Sequence, residues 1–508
     1  MTTHSAAAVE QCASAQTKFE GLTAWLTQGD TLAATHDAVE EQLRVLGLEL
    51  MRQLLQEYMD TRSIADRDRV LASLPKAGRI TKSNRNLKSV FGTVIITRFA
   101  IAPFAGKNSQ FVLDRELNLP GQLYSLGVQE RVAEVACSLS MEKTVGAISR
   151  TTGTHVPKRQ VEQLVALTAH DFDAFYAQRF VVANDVHCAQ MALVASVDGS
   201  GVTVLTTDLR PATLKLAQQA KRTEPRHGDP TVHTQGQVRR HRKRMATVTA
   251  VYDQAPCCRT VEDVMGPLNR ASTDDVEPVK RLSLLRPSNK VLSASVSREP
   301  PRSIRLMFDE VERRDPIRAR PWVVLVDGDV RQLATIKAET RRRKVRPTII
   351  LDVIHVLSYL WQATKALLGT EVKSVRVAKR VATLLKHLLQ GKALAVARQL
   401  ENECKAKWRP ISQRNEVMRS VTYLRNNVSR LRYDQYLAAG YPIATGVIEG
   451  ACRHLVKDRL AITGARWGLA GADAVLRLRA IKINGHWEQY WAFHRAQHAL
   501  RIAAKMAA

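Results

Sequence analysis

"PWVVLVDGDV", residues 321–330, is an apolar run that ends in two aspartates separated by one glycine. Trp322 to Val326 leave no alternating polar face, which predicts a short strand buried on both sides. "LVASVDGSGV" at 193–202 repeats the pattern on another apolar run. With "MATVTAVYD" (245–253) and "TIILDVIHV" (348–356), these runs predict four strands of a covered sheet. Helical periodicity returns after residue 356 and dominates to the end, so the fold class is an α/β core followed by a helical region.

Carboxylates at the ends of buried strands call for a physical reason. An ionised aspartate beside apolar chain is disfavoured by desolvation, and a like charge nearby disfavours it further. Several of them on adjacent strands need a cation, and Mg²⁺ takes hard oxygen ligands while keeping waters and phosphate oxygens in its shell. The bland reading of one aspartate is a turn or helix cap, but two Val-Asp-Gly sequences on separate buried strands point to Asp198 and Asp327 as metal ligands. Asp329, beyond the glycine, reads as the cap of a helix starting near Val330. Asp352 is either a helix N-cap or a supporting group near the site. His355, three residues on, either packs or positions a water or phosphate. Far down the chain Glu449 lies between Gly446 and Gly450 in "GVIEGACRHL". It forms an i,i+4 surface pair with Arg453, or it uses its small neighbours to approach a sheet edge and complete a metal shell.

Charge bounds the partner. Lys plus Arg number 76 against 48 Asp plus Glu, a formal net charge of +28, which favours a polyanion such as nucleic acid. No stretch has the roughly 18–20 consecutive apolar residues of a spanning helix, and "MTTHSAAAVEQ" has no secretory pattern. The seven cysteines show no CxxC spacing and read as reduced thiols. Two basic runs, 217–244 and "RRRKVR" at 341–346, are either solvated loops or flexible arms that neutralise phosphates. The second reading nominates Arg239, Arg240, Arg242, Lys243 and Arg244, and then Arg341, Arg342 and Arg343.

Residues 1–85 carry apolar residues at helical spacing, as in "EQLRVLGLEL" (41–50). "SVFGTVIITRFAIAPF" (89–104) and the following "SQFVLDREL" predict a β-hairpin within 86–118. In 119–180 a helix from Met141 to Arg150, a break at Gly153 and a second helix opening at Pro157 give the spacing of a helix-turn-helix. Its second helix would present Lys158, Arg159, Gln160 and Gln163 to DNA; an ordinary helical pair is the alternative.

Taken in order, "SVDGSGV", "ERRDPIRARPWVVLVDGDVRQL", "ILDVIHVLSYLWQA" and "GVIEGACRHLVKDRLAITGARW" with "LRLRAIKINGHWEQYW" resemble the bacterial insertion-sequence transposases of the DDE class, most closely the Kra-type group. The run after Asp198 departs from the pattern usual there. The resemblance implies an RNase H-like catalytic core in two parts, 190–360 and 436–500, split by a helical insertion at 361–435 that carries Trp361 and Trp408. It implies Asp198, Asp327 and Glu449 as catalytic and metal-binding residues, with Asp352, His355 and Arg453 in support. It implies Mg²⁺ or Mn²⁺ as cofactor. Partners would be double-stranded DNA, as terminal inverted repeats and as target, and a second copy of the chain. The setting would be the nucleoid in a bacterial cytoplasm. A DNA-binding regulator without catalysis, and a metal-dependent nuclease on the same fold, are the competing expectations.

Overall fold

The computed structural model describes residues 13–74, 78–101, 109–179, 190–222, 243–270, 286–369, 374–406, 410–462 and 464–507. The chain divides into two units, Met1–Gln178 with Gly485–Ala508, and Arg179–Asn484.

In the first unit α1 (Ala13–Leu26) packs along the long α2 (His36–Ala72), and α2 carries a β-hairpin of β1 (Ile80–Ser89) and β2 (Gly92–Ile101). Alternation in β2 turns Val94 and Ile96 inward and leaves Ile95 out. The inward residues join Met59, Leu87, Leu113 and Leu119 in one apolar cluster. The hairpin therefore lies one strand earlier than expected. β1, "ITKSNRNLKS", is too polar to show an apolar strand pattern, and the expected second strand is instead the helix α3 (Val112–Glu116). The Gly-Lys-Asn turn at 106–108 lies outside the described residues.

Three mutually packed helices follow, α4 (Leu126–Ala136), α5 (Met141–Thr151) and α6 (Lys158–Thr168). Ser125 and Ser140 cap the first two, each accepting from the backbone N–H three residues on. The α5–α6 turn seats on the hairpin turn: Gly153 N donates to Val90 O at 2.9 Å, and a Cβ on Gly153 would lie 2.2 Å from Phe91 O. Lys158, Arg159 and Gln163 stand exposed on α6, with Gln160 half-buried. After α7 (Phe172–Gln178), the unit is completed by the C-terminal helix Trp487–Ala507, whose Tyr490 meets Phe175 edge-on at 5.5 Å. Residues 485–500 thus belong with the N-terminal unit and not with the expected last part of the core.

The second unit is a mixed α/β assembly around a five-stranded sheet. Its strands are β3 (Ala192–Thr203), β4 (Lys243–Gln254), β5 (Ser288–Ser295), β6 (Trp322–Val326) and β7 (Thr348–Leu351). Numbered within the unit, the spatial order is 3-2-1-4-5. The β3–β4 and β4–β5 pairs are antiparallel, and β3–β6 and β6–β7 are parallel. All four expected strands are present. β5, "SNKVLSAS", is an addition whose short, Ser-rich edge sequence lacks a strand signal.

Helices α8 (Pro211–Arg222) and α9 (Val261–Arg270) follow β3 and β4. α10 (Pro300–Arg314) packs on β3 and β4, and α11 (Val330–Arg343) joins β6 to β7. Among the described residues four helices follow: α12 (Val353–Leu368), α13 (Ser374–Leu389), α14 (Ala393–Ala406) and α15 (Ile411–Asn426). α16 (Tyr433–Ala438), α17 (Gly446–Ala451), a π-helical segment Cys452–Lys457 and α18 (Leu469–Ile483) return the chain to the sheet. Trp467 pairs with Val204 beyond β3, and Trp408 lies outside the described residues.

The basic runs are reshaped. Lys243 and Arg244 begin β4, where Arg244 Nε donates to Val296 O and Nη1 to Asp208 O, both at 3.2 Å. Arg239, Arg240 and Arg242 lie outside the described residues. Arg341–Arg343 form the last turn of α11, where basic side chains complement the helix dipole. Arg343 is no phosphate arm: it is buried and bound to Asp309, Glu312 and Glu339. Arg342 pairs with Glu339 at 2.8 Å while remaining exposed, and Arg341 is exposed as well.

Candidate metal centre

The parallel strands set the carboxylates side by side. Ser196 pairs with Leu325, so two residues further on Asp198 comes level with Asp327. Val326 pairs with Leu351, so one residue on Asp327 comes level with Asp352. Neighbouring strands run roughly 4.8 Å apart, so the three acids lie side by side; Asp198 is not at a strand end as expected but within β3, opposite Val248 in the ladder to β4. Asp198 Oδ1 accepts from Gly199 N at 2.6 Å, and Asp327 Oδ1 from Asp329 N at 2.8 Å. Asp329 caps α11, accepting from Gln332 N at 2.8 Å, as its place after the glycine predicts.

Asp352 is fully buried and engages four donors. Oδ1 accepts from Ile354 N at 3.2 Å and Thr445 N at 3.1 Å. Oδ2 accepts from His355 N at 3.3 Å and from the His355 ring Nδ1 at 2.9 Å. It is therefore the N-cap of α12. Thr445 immediately precedes α17, so the same carboxylate ties the end of β7 to the helix that carries Glu449.

Glu449 is exposed on α17 and arrives over β3 and β4. Its helix passes directly into the π-helical segment, whose wider turn breaks i,i+4 alignment. Among the described residues no ion pair joins Glu449 to Arg453, so of the two readings of this glutamate the surface pair is not formed. The charges that reach Glu449 to favour its ionised form are those of His355 and Lys457. Cys452, on the first residue of that segment, places its thiol 3.5 Å from Asp198 Oδ2. Burial, with Asp198 alongside, pushes this thiol up to about 12.

Ligand atoms of Asp352, His355 and Glu449 all lie within 4.8 Å of one another. Burial raises the pKa of Asp327; Asp198 and Asp329 add to the shift, while the Asp329 N–H and His355 oppose it. Burial likewise raises Glu449, with Asp352 and Asp198 adding and His355 and Lys457 opposing. The hydrogen bond to Asp352 raises His355 against its burial, helped by Asp327 and Asp198. Asp327 and Glu449, whose ionised forms are disfavoured first by burial and then by acidic neighbours, suit a hard divalent cation. Among the described residues Asp198 and Asp327 are not members of the close group of Asp352, His355 and Glu449; Asp198 reaches Asp327 and Glu449 through its charge.

Three tyrosines also frame this site and carry no sequence signal of their own. Tyr423 of α15 donates to Asp327 O at 2.7 Å, Tyr359 of α12 stacks on it at 3.8 Å, and Tyr433 of α16 donates to Leu351 O at 2.8 Å. No protein-family model matches the chain, and none of the curated proteins is similar to it.

Proposed function

We propose that the chain is a DNA transposase of an insertion sequence, cutting at terminal inverted repeats and transferring the freed strand into target DNA. The observation that carries this reading is the alignment of Asp198 with Asp327 across parallel strands, closed by Glu449 from a helix reached only after a helical insertion. The sheet order 3-2-1-4-5, with the first acid on the first strand and the second after the fourth, supports an RNase H-like core.

In this reading Asp198, Asp327 and Glu449 hold Mg²⁺ or Mn²⁺, and Asp352 with His355 fixes their surroundings. When bound, two such ions activate a water or a 3′-hydroxyl and stabilise charge on the phosphodiester. The side chains supply position and charge, so no histidine base is needed. The exposed face of α6, with Lys158, Arg159 and Gln163, supplies contacts to duplex DNA. Among the described residues no helix is long and apolar enough to cross a membrane.

The test is an incubation of the protein with the DNA that flanks its gene, with Mg²⁺ or with chelator. The expected result is a nick at each element end followed by joining to a target plasmid, in Mg²⁺ alone. Cutting without joining identifies a nuclease on the same fold. Binding that ignores chelator and produces no cut identifies a regulator.

A further inference from the structure

The ends of β6 and β7 are where the sheet stops supplying partners. Asp352 N takes Val326 O at 2.8 Å, but the next carbonyl on β6, that of Asp327, and the last on β7, that of Leu351, extend past the ladder. Both are claimed by tyrosine hydroxyls from beyond the core: Tyr423 at 2.7 Å and Tyr433 at 2.8 Å. An unpaired buried carbonyl is disfavoured, yet satisfying it requires no aromatic residue. What these two share is position, since each carbonyl belongs to, or directly precedes, an acid of the site.

The seating is close. Gly328 adopts φ +94°, and a Cβ there would lie 2.9 Å from the Tyr423 ring and 3.1 Å from Leu351 Cδ1. The ring of Tyr423 is clamped by the stacked Tyr359, with an interplanar angle of 17°. Ser420 Oγ donates to Tyr359 O at 3.1 Å, and Asn427 Nδ2 to Tyr423 O at 2.8 Å, so α12 and α15 hold the pair rigidly. Tyr433 is fully buried.

We infer that Tyr423, with Tyr433 beside it, is a positioning residue through which the helical insertion sets the orientation of Asp327 and the neighbouring strand end for metal binding. The inference rests on the proposed metal-dependent activity. Asp327 is held at its carboxylate by a single N–H, that of Asp329, across the glycine whose conformation Tyr423 limits. Without the hydroxyl, the peptide after Asp327 turns more freely and the carboxylate loses its fixed direction. A misplacement on the order of 1 Å in such a site lowers rates on the order of a hundredfold.

Tyr423→Phe keeps the ring and its stacking, so it isolates the hydroxyl. The experiment measures, for the full chain and this variant, Mn²⁺ binding by electron paramagnetic resonance, thermal midpoint, DNA affinity, and Mg²⁺-dependent cleavage. The expected result is about tenfold weaker Mn²⁺ binding and a cleavage rate reduced roughly ten- to hundredfold, with the thermal midpoint lowered only by the few degrees that one unpaired carbonyl costs and DNA affinity as in the wild type. Unchanged Mn²⁺ binding and rate in Tyr423→Phe, with an active wild type, overturns the inference alone. A wild type that neither binds Mn²⁺ nor cuts DNA overturns the underlying functional reading and the inference with it. Should the phenylalanine variant lose its fold, Tyr359→Leu, which keeps the hydroxyl but removes the stacked support, makes the same comparison with the same expected result.

Discussion

Asp352 shows how one side chain can be two things at once. A carboxylate that caps a helix needs two acceptor positions; this one fills four, on its own helix, on His355 and on the approach to Glu449. Asp352→Asn turns one of its oxygens into a donor that faces donors. We expect a loss of about 2–3 kcal/mol in denaturant unfolding, the scale of unsatisfied buried groups. Local sequence exposes the cap, because an aspartate opens an apolar helix; it cannot expose Thr445, 93 residues on. The same limit governs Arg343. Glu339 is four residues away and legible, whereas Asp309 and Glu312 lie 34 and 31 residues back. Arg343→Ala should cost about 1–3 kcal/mol by removing one partner of the buried Glu339 and the contacts to the part-exposed Asp309 and Glu312, and Arg341→Ala within about 0.5 kcal/mol. Equal effects for the two arginines in thermal unfolding would refute the assignment of Arg343 to the interior.

Elements were legible where their pattern is self-contained. Continuous apolar runs identified four strands because burial on both faces removes alternation, and Pro157 with Gly153 located the helix pair because both act on the local backbone. β1 and β5 escaped since their few buried positions owe their burial to α2 and α18 and not to their own composition. The π-helical segment escaped for the same reason, and with it the loss of the Glu449–Arg453 pair. For α6 the account predicts a salt effect. If Lys158 and Arg159 each meet a phosphate, replacing both by alanine lowers the slope of log binding constant against log salt by about 1.8. The same double substitution should leave the thermal midpoint unchanged, since both side chains are exposed. A slope equal to the wild type's removes α6 from the DNA interface.

At the scale of the whole molecule, the net charge of +28 points to a polyanionic partner independently of any motif. The division into units was not legible, because it depends on a C-terminal helix that returns to the N-terminal unit. Asp171 marks that return: it accepts from His494 at 2.6 Å and from Arg501 at 2.7 and 3.0 Å. Burial alone would raise its pKa; His494, Arg501 and His170 outweigh it and hold the carboxyl well below the ordinary range. A depressed carboxylate stabilises the fold above its unfolded pKa, about 4, and that stability is lost as pH falls through the folded value. The thermal midpoints of wild type and Asp171→Asn should therefore differ most at neutral pH and converge below about pH 4. A gap that stays constant from neutral pH to pH 2 would contradict the assignment.

The central claim is that Asp198, Asp327 and Glu449 form one catalytic metal site. Its most direct measurement is Mg²⁺-dependent cleavage of end-bearing DNA by Asp198→Asn, Asp327→Asn and Glu449→Gln, alongside their DNA affinity. The account predicts cleavage reduced by at least about a thousandfold in each, with binding as tight as in the wild type. Cleavage retained by any one of the three variants would contradict it.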